Sequence, residues 1–244
     1  MVLEMPVLTS RRRKTLIEAR IPFVIPGKQI YLPFLGTMLT EKCDAETTGI
    51  GPDKLRPSAQ QLLFAMILDG CHPMPLAPLA KRFQVSAMTI TRAADQLCKT
   101  DLIKKIGMGS GAQKMLITEH SPKELHQKMR PYLIQPVRKT VYIDKTDVHP
   151  EMFPAGLSAL SEMSMLNPPA IQTWGTVRLS LEKGSYTGML LDSSRQCALQ
   201  IWKYDPRMIS QTKMVDVLSL ALSLAEDEDE RTQQCLEELT ERIW

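Results

Sequence analysis

An α+β fold is what this sequence predicts: a helical segment carrying a β-hairpin over 57–119, then a mixed α+β region over 137–244 with a mostly antiparallel sheet. Three observations carry the prediction. Apolar side chains recur at helical spacing between Pro57 and Cys98, and two β-prone stretches flank Gly109-Ser110-Gly111. Beyond Pro136, strand-like and helix-like segments mix without strict βαβ alternation.

The length of 244 residues exceeds one ordinary domain. The chain divides into an N-terminal segment at 1–56, the hairpin-bearing helical domain at 57–119, a linker helix at 120–136 and a C-terminal domain at 137–244. Hydrophobic residues at 43% and charged residues at 23% are those of a globular protein. The longest apolar run, Leu62–Leu68, is too short to cross a bilayer. The opening MVLEMPVLTSRRRK puts its basic cluster after the weakly apolar stretch, the wrong order for a secretory signal. A soluble, cytoplasmic protein with no membrane partner is expected.

In chain order, Arg11-Arg12-Arg13-Lys14 is either a solvated charge cluster or a basic arm suited to a minor groove. Ile21–Ile25 and Gln29–Leu32, on either side of Pro26-Gly27, read as a short hairpin. Leu32–Leu39 is apolar enough to dock on the next domain or to mediate dimerisation. Pro57-Ser58 starts a helix whose stripe is Leu62, Leu63, Met66 and Ile67, ended by Gly70. Leu76, Leu79 and Phe83 mark a second helix that stops at Gln84-Val85. Ser86 then reads as the N-cap of a third, with Ile90, Ala94 and Leu97 as its buried face. A short turn between two short helices is the helix-turn-helix pattern.

Leu102–Met108 and Gln113–Thr118 follow as a two-stranded wing, the glycines between them supplying the positive φ of a tight turn. Pro122–Tyr132 reads as a connecting helix with Leu125 and Met129 on one side. Val137–Ile143 is a strand and Pro154–Met165 a helix. Ala170–Thr173, Thr176–Leu181, Gly188–Leu191 and Cys197–Tyr204 are further strand candidates, and Val215–Leu224 and Asp229–Ile243 are closing helices. The acidic run Glu226–Glu230 opens the last helix, where carboxylates favour the positive end of the macrodipole. Asp227 and Glu230 stand there at capping-box spacing, a reading preferred to a metal site.

The net charge of +3 hides an asymmetry. Residues 1–130 hold 19 Lys and Arg against 11 Asp and Glu, and residues 131–244 hold 11 against 16. A basic first half suits a polyanion, because phosphate contacts dominate nucleic-acid affinity. On the third helix, the face opposite Ile90, Ala94 and Leu97 carries Met88, Arg92, Asp95 and Lys99, with Thr89 and Thr91 on its shoulders. Such a helix in a major groove reads bases with its N-terminal residues. Arg92 suits guanine or a phosphate, Met88 and Thr89 a thymine methyl, and Ser86 a phosphate at the helix N-terminus. Lys104, Lys105 and Lys114 on the wing, and Lys81 and Arg82 on the second helix, suit flanking phosphates. Asp95 is the one residue of that face that favours a protein partner instead.

The order helix, helix, Ser-capped helix and hairpin resembles the winged-helix family, and LAKRFQVSAMTITRAADQL resembles MarR-type and related bacterial regulators over 57–119. A second resemblance extends into the C-terminal half. AGLSALSEMSML, LQIWKYDPRMIS and DVLSLALSLAEDEDERTQQCLEELTERIW look like bacterial two-domain proteins grouped with AbiE-type antitoxins. That resemblance implies a winged helix that represses its own operon and a C-terminal domain that counters a nucleotidyltransferase-like toxin encoded nearby. It transfers no functional residue to this half.

Catalytic signatures are missing: there is no GxSxG elbow, GxxxxGK[ST] loop or HExxH. Asp144, Asp147 and His149 read as a polar loop rather than a hydrolytic centre. The cysteines, Cys43, Cys71, Cys98, Cys197 and Cys235, lack paired spacing and suit reduced core thiols, and Cys71-His72 has no second ligand pair to make a zinc site. The expectation is a non-enzymatic, homodimeric, sequence-specific repressor of double-stranded DNA, without cofactor or metal, whose C-terminal half senses a signal or binds a partner. The alternative is an antitoxin or interaction module that neutralises a toxin by direct contact.

Overall fold

The computed structural model describes residues 2–4, 15–17, 19–26, 29–35, 37–40, 53–107, 114–179 and 185–244. The fold is α+β with mainly antiparallel pairing, in two compact units, Met1–Gly51 and Pro52–Trp244. Among the described residues no helix is long and apolar enough to cross a membrane.

In the smaller unit, β1 (Leu3–Glu4), β2 (Phe23–Ile25), β3 (Gln29–Leu32) and β4 (Thr37–Thr40) form a sheet in that order. The β1–β2 pair is parallel and the others antiparallel. The expected hairpin is therefore the centre of a larger sheet. Phe23 and Ile25 alternate inward, as a two-residue period requires, and pack on Leu3, Leu16, Ile17 and Tyr31. The basic run Arg11–Lys14 lies outside the described residues.

The larger unit is built on α1 (Pro57–Leu68). The sequence shows one stripe, but every residue from Ala59 to Ile67 is buried. A helix covered on all sides belongs inside a core, and this one has neighbours all round. Gly70, at φ +77°, turns the chain out of it. Then come β5 (Met74–Pro75), α2 (Leu76–Arg82), α3 (Ala87–Cys98), β6 (Lys104–Gly107) and β7 (Lys114–Ile117). The hairpin of β6 and β7 gains β5 on the other side of β7, giving the order β5-β7-β6. Two residues ending in proline carry no strand periodicity, so β5 is visible only in its pairing with Leu116 and Met115. The Gly109–Gly111 turn lies outside the described residues. α4 (Pro122–Met129) begins with a capping box of Ser121 and Glu124 and buries Leu125 and Met129.

The C-terminal sheet contains β8 (Val137–Asp144), β9 (Phe153–Pro154), β10 (Thr173–Thr176), β11 (Tyr186–Thr187) and β12 (Gln196–Trp202), ordered β11-β8-β12-β10-β9. All pairs are antiparallel except β10 with β12. Helix α5 (Gly156–Met163) lies between β9 and β10 in the chain. The strand candidates at 170–173 and 188–191, and the described part of that at 176–181, are displaced: the ladders run over 173–176 and 186–187 instead, and residues 180–181 lie outside the described residues. Gly175 sits where a Cβ would meet the Phe153 ring at 2.3 Å, which explains a glycine inside a strand.

The chain closes with α6 (Arg207–Ser210), α7 (Val217–Ser223) and α8 (Glu230–Glu241). Asp229, not Asp227, caps α8, accepting bonds from Thr232 N–H at 2.9 Å and Thr232 Oγ1 at 3.0 Å. Asp227 instead accepts from the Asp229 N–H at 3.0 Å.

One core runs from Leu55 to Leu133 and takes in Tyr204, Ile209 and Leu218 from the far end of the chain. Polar groups join these regions too. Gln60 donates to Ile134 O at 2.9 Å and Tyr204 Oη at 3.1 Å, and its Oε1 accepts from Ile134 N–H at 2.7 Å. Gln61 donates to Asp205 O at 3.1 Å. Helix α1 is thus the joint between the helical segment and the C-terminal half.

Candidate nucleic-acid interface

Ser86 caps α3 in extended backbone geometry, its hydroxyl accepting from the Thr89 N–H at 3.2 Å and lying 2.9 Å from Thr89 Oγ1. Ile90, Ala93, Ala94 and Leu97 turn inward. That is the expected face with Ala93 added, because α2 and α1 cover it from two sides. Met88, Arg92, Asp95 and Lys99 turn outward, and Met88 is 59% exposed. Thr91 donates its hydroxyl to Ala87 O at 3.0 Å, which presents its methyl rather than its proton.

The hairpin lies along this helix. Lys105 on β6 pairs with Asp95, so the acidic residue on the α3 face is neutralised by the adjoining strand. Lys104 pairs with Glu119 at 2.8 Å, and that hydrogen bond raises the lysine and lowers the carboxyl. Lys114 on β7 and Lys81 on α2 are exposed and, among the described residues, unpaired. Arg82 departs from the expected set. Its guanidinium turns inward to Asp69 Oδ2 at 2.9 Å and to the carbonyls of Met208 at 3.0 Å and Ile209 at 2.5 Å. The reason is local: α6 is a single turn whose free carbonyls need a donor. Arg82 is a clamp between α2 and α6 and not a free cation for phosphate.

Arg56 belongs beside Arg92, and sequence reasoning missed it. Gln96 on α3 accepts from the Arg56 N–H at 3.0 Å and donates to Lys54 O at 3.1 Å, which pins the segment ahead of α1 against α3. A cleft of about 510 Å3 results, lined by Arg56, Arg92, Asp95, Lys99 and Tyr132 among others. The only signal in the sequence was a basic residue just before a helix start, which by itself means little.

Behind the face lies a buried polar chain, also unforeseen. Gln60 meets Tyr204, whose hydroxyl is 2.9 Å from Ser219 Oγ, and the Ser219 N–H donates to Asp216 Oδ1 at 2.8 Å. Burial pushes the Asp216 carboxyl up to about 7. The other polar cluster, Asp144 with Asp147 and His149, is a turn: Asp144 accepts from Thr146 N–H at 3.1 Å and Oγ1 at 2.9 Å. With Arg195 at 3.3 Å as well, its carboxyl is held below the usual range.

No known family model, curated protein or solved structure matches the chain.

Proposed function

We propose that the chain is a sequence-specific DNA-binding regulator, a repressor acting as a homodimer in the cytoplasm, in which α1, α2, α3 and the three-stranded sheet serve as a winged helix-turn-helix. The observation that carries this reading is the outward face of α3. Met88 and Arg92 project from its first two turns with no partner among the described residues, Lys105 cancels Asp95, and Lys81, Lys104 and Lys114 stand around it. A helix of this kind reads base edges, and the surrounding cations position the duplex through its phosphates.

The test is fluorescence anisotropy against the protein's own upstream DNA and a scrambled duplex at two salt concentrations. Arg92→Ala is expected to cost about 1–3 kcal/mol of specific binding and to relax one base position. Equal, weak binding of both duplexes by the unaltered chain, lost at physiological salt, would make α3 a protein-docking surface.

A second reading, an antitoxin that contacts a toxin encoded nearby, draws on Met189 and Leu191, each 71% exposed after β11, and on the fully exposed Met165. Stable co-purification with the product of an adjacent gene supports it, and substitution of Met189 and Leu191 by serine would then release the partner without changing DNA affinity.

A further inference from the structure

A groove of about 810 Å3 runs between the start of α1, the Gln84-Val85 turn just ahead of α3, and the C-terminal half at Arg178 and Lys203. Its charges do not cancel. Asp205 is neutralised by Arg207, whose Nε and Nη2 donate to its two oxygens at 3.0 and 2.7 Å. Lys203 Nζ donates to the neutral Gln135 O at 2.8 Å and has no ion-pair partner among the described residues. Arg56 and Arg178 are exposed, and among the described residues neither guanidinium has an ion-pair or hydrogen-bond partner. Among the described residues, Glu151 is the remaining acid on the groove wall, against Arg56, Arg178 and Lys203.

The same Arg56 also lines the cleft that holds Arg92 and Lys99, together with Asp53 and the Asp95 that Lys105 neutralises. A basic track therefore runs from Lys99 and Arg92 on α3, through Arg56, to Arg178 on the loop after β10. It joins the base-reading face to a half of the chain whose overall charge is negative. Arginines in series on a concave path, without ion-pair partners among the described residues, match a sugar-phosphate strand, since the guanidinium fork pairs with phosphate oxygens in two-point fashion.

We propose that the C-terminal half contributes directly to DNA binding, and that Arg178, with Arg56, holds backbone phosphates flanking the base pairs read by α3. This rests on the DNA-binding reading above. Each phosphate contact releases counterions, so removing one lowers the slope of log K against log salt by about 0.9.

The experiment is anisotropy with the full chain between about 50 and 200 mM salt, comparing the unaltered protein with Arg178→Ala, Arg178→Lys, Arg56→Ala/Arg178→Ala and Arg92→Ala. Two duplexes are used, one with long flanks and one trimmed to the base pairs under α3. The expected result is a slope about 0.9 lower for Arg178→Ala and about twice that for the double variant, on the long duplex only and for any flank sequence. Arg178→Lys should keep the slope, and melting temperatures should be unchanged because both side chains are exposed. Unaltered slope and affinity for Arg178→Ala, alongside impaired Arg92→Ala, would overturn this inference and leave the DNA-binding reading standing. Absence of salt-dependent duplex binding by the unaltered protein would remove both.

Discussion

Helices α1 and α3 are each 12 residues long and pack against one another, yet they meet opposite surroundings. In α1 the polar Gln60 and Gln61 are buried, while in α3 the apolar Met88 is exposed. Hydropathy alone assigns both the other way round. What decides is the partner: Ile134, Tyr204 and Asp205 present carbonyl and hydroxyl groups that match the two amides, whereas nothing described covers Met88. A buried amide is tolerated when its bonds are made, and a single exposed methionine costs little on a solvated face.

The sharpest way to break this contrast is Gln60→Leu. It keeps the volume but takes their side-chain partner from the Ile134 N–H and carbonyl and leaves the Tyr204 hydroxyl with Ser219 alone. With about 1–3 kcal/mol for each buried group left unpaired, a loss of roughly 3–4 kcal/mol is expected in urea unfolding. A loss under about 1 kcal/mol would mean that the joint around α1 does not depend on this amide.

A smaller effect lies deeper on the same polar chain. The folded Asp216 carboxyl sits near 7 because of burial, and among the described residues its Oδ2 has no hydrogen-bond partner. In the unfolded chain it titrates near the ordinary carboxylate value of about 3.9. Below that pH both states hold the proton and the stability is complete. As pH rises from about 4 to about 7 the unfolded chain releases the proton while the folded chain retains it, so stability falls, by an amount on the order of a few kcal/mol. Above about 7 the contribution is flat. Asp216→Asn keeps an acceptor for the Ser219 N–H and removes the ionisation. Unfolding free energies at pH 5, 6.5 and 8 should diverge in favour of the variant as pH rises, and parallel curves would sink the assignment.

On α3 the effects are smaller still, because its outward face is solvated. Ser86→Ala removes the N-cap acceptor and should lower stability by about 1 kcal/mol. Arg92→Ala should leave stability within about 0.5 kcal/mol, as surface substitutions do, so that any loss of DNA binding it causes belongs to recognition. Thermal melts of the two variants side by side check the pair. Equal destabilisation would mean that Arg92 carries a structural contact.

The legible parts of the sequence were those whose signal is local. The Ser86 cap, the apolar face of α3 and the limits of α1 follow from spacing and from side chains bonding their own backbone, and the structure reproduces them within a residue or two. Between 170 and 191 the signal failed. Strands as short as Tyr186–Thr187 exist through pairing with Tyr142 and Ile143, more than forty residues away, and no local pattern encodes that partner. The candidate site divides in the same way. Met88, Thr89 and Arg92 could be placed by helical geometry, whereas Arg56 and Arg178 enter only because separate segments fold against the same groove.

The sequence by itself determined which residues share a face of α3, where its cap lies, and that basic charge collects in the first half, because periodicity and composition act over a turn or two of chain. The tertiary structure decided the rest. It turned Arg82 inward to the carbonyls of α6, paired Lys105 with Asp95, buried the glutamines of α1 and set Arg178 from the acidic half on the same groove as Arg56. Each of these depends on what stands a few ångströms away in space, and distance along the chain says little about that.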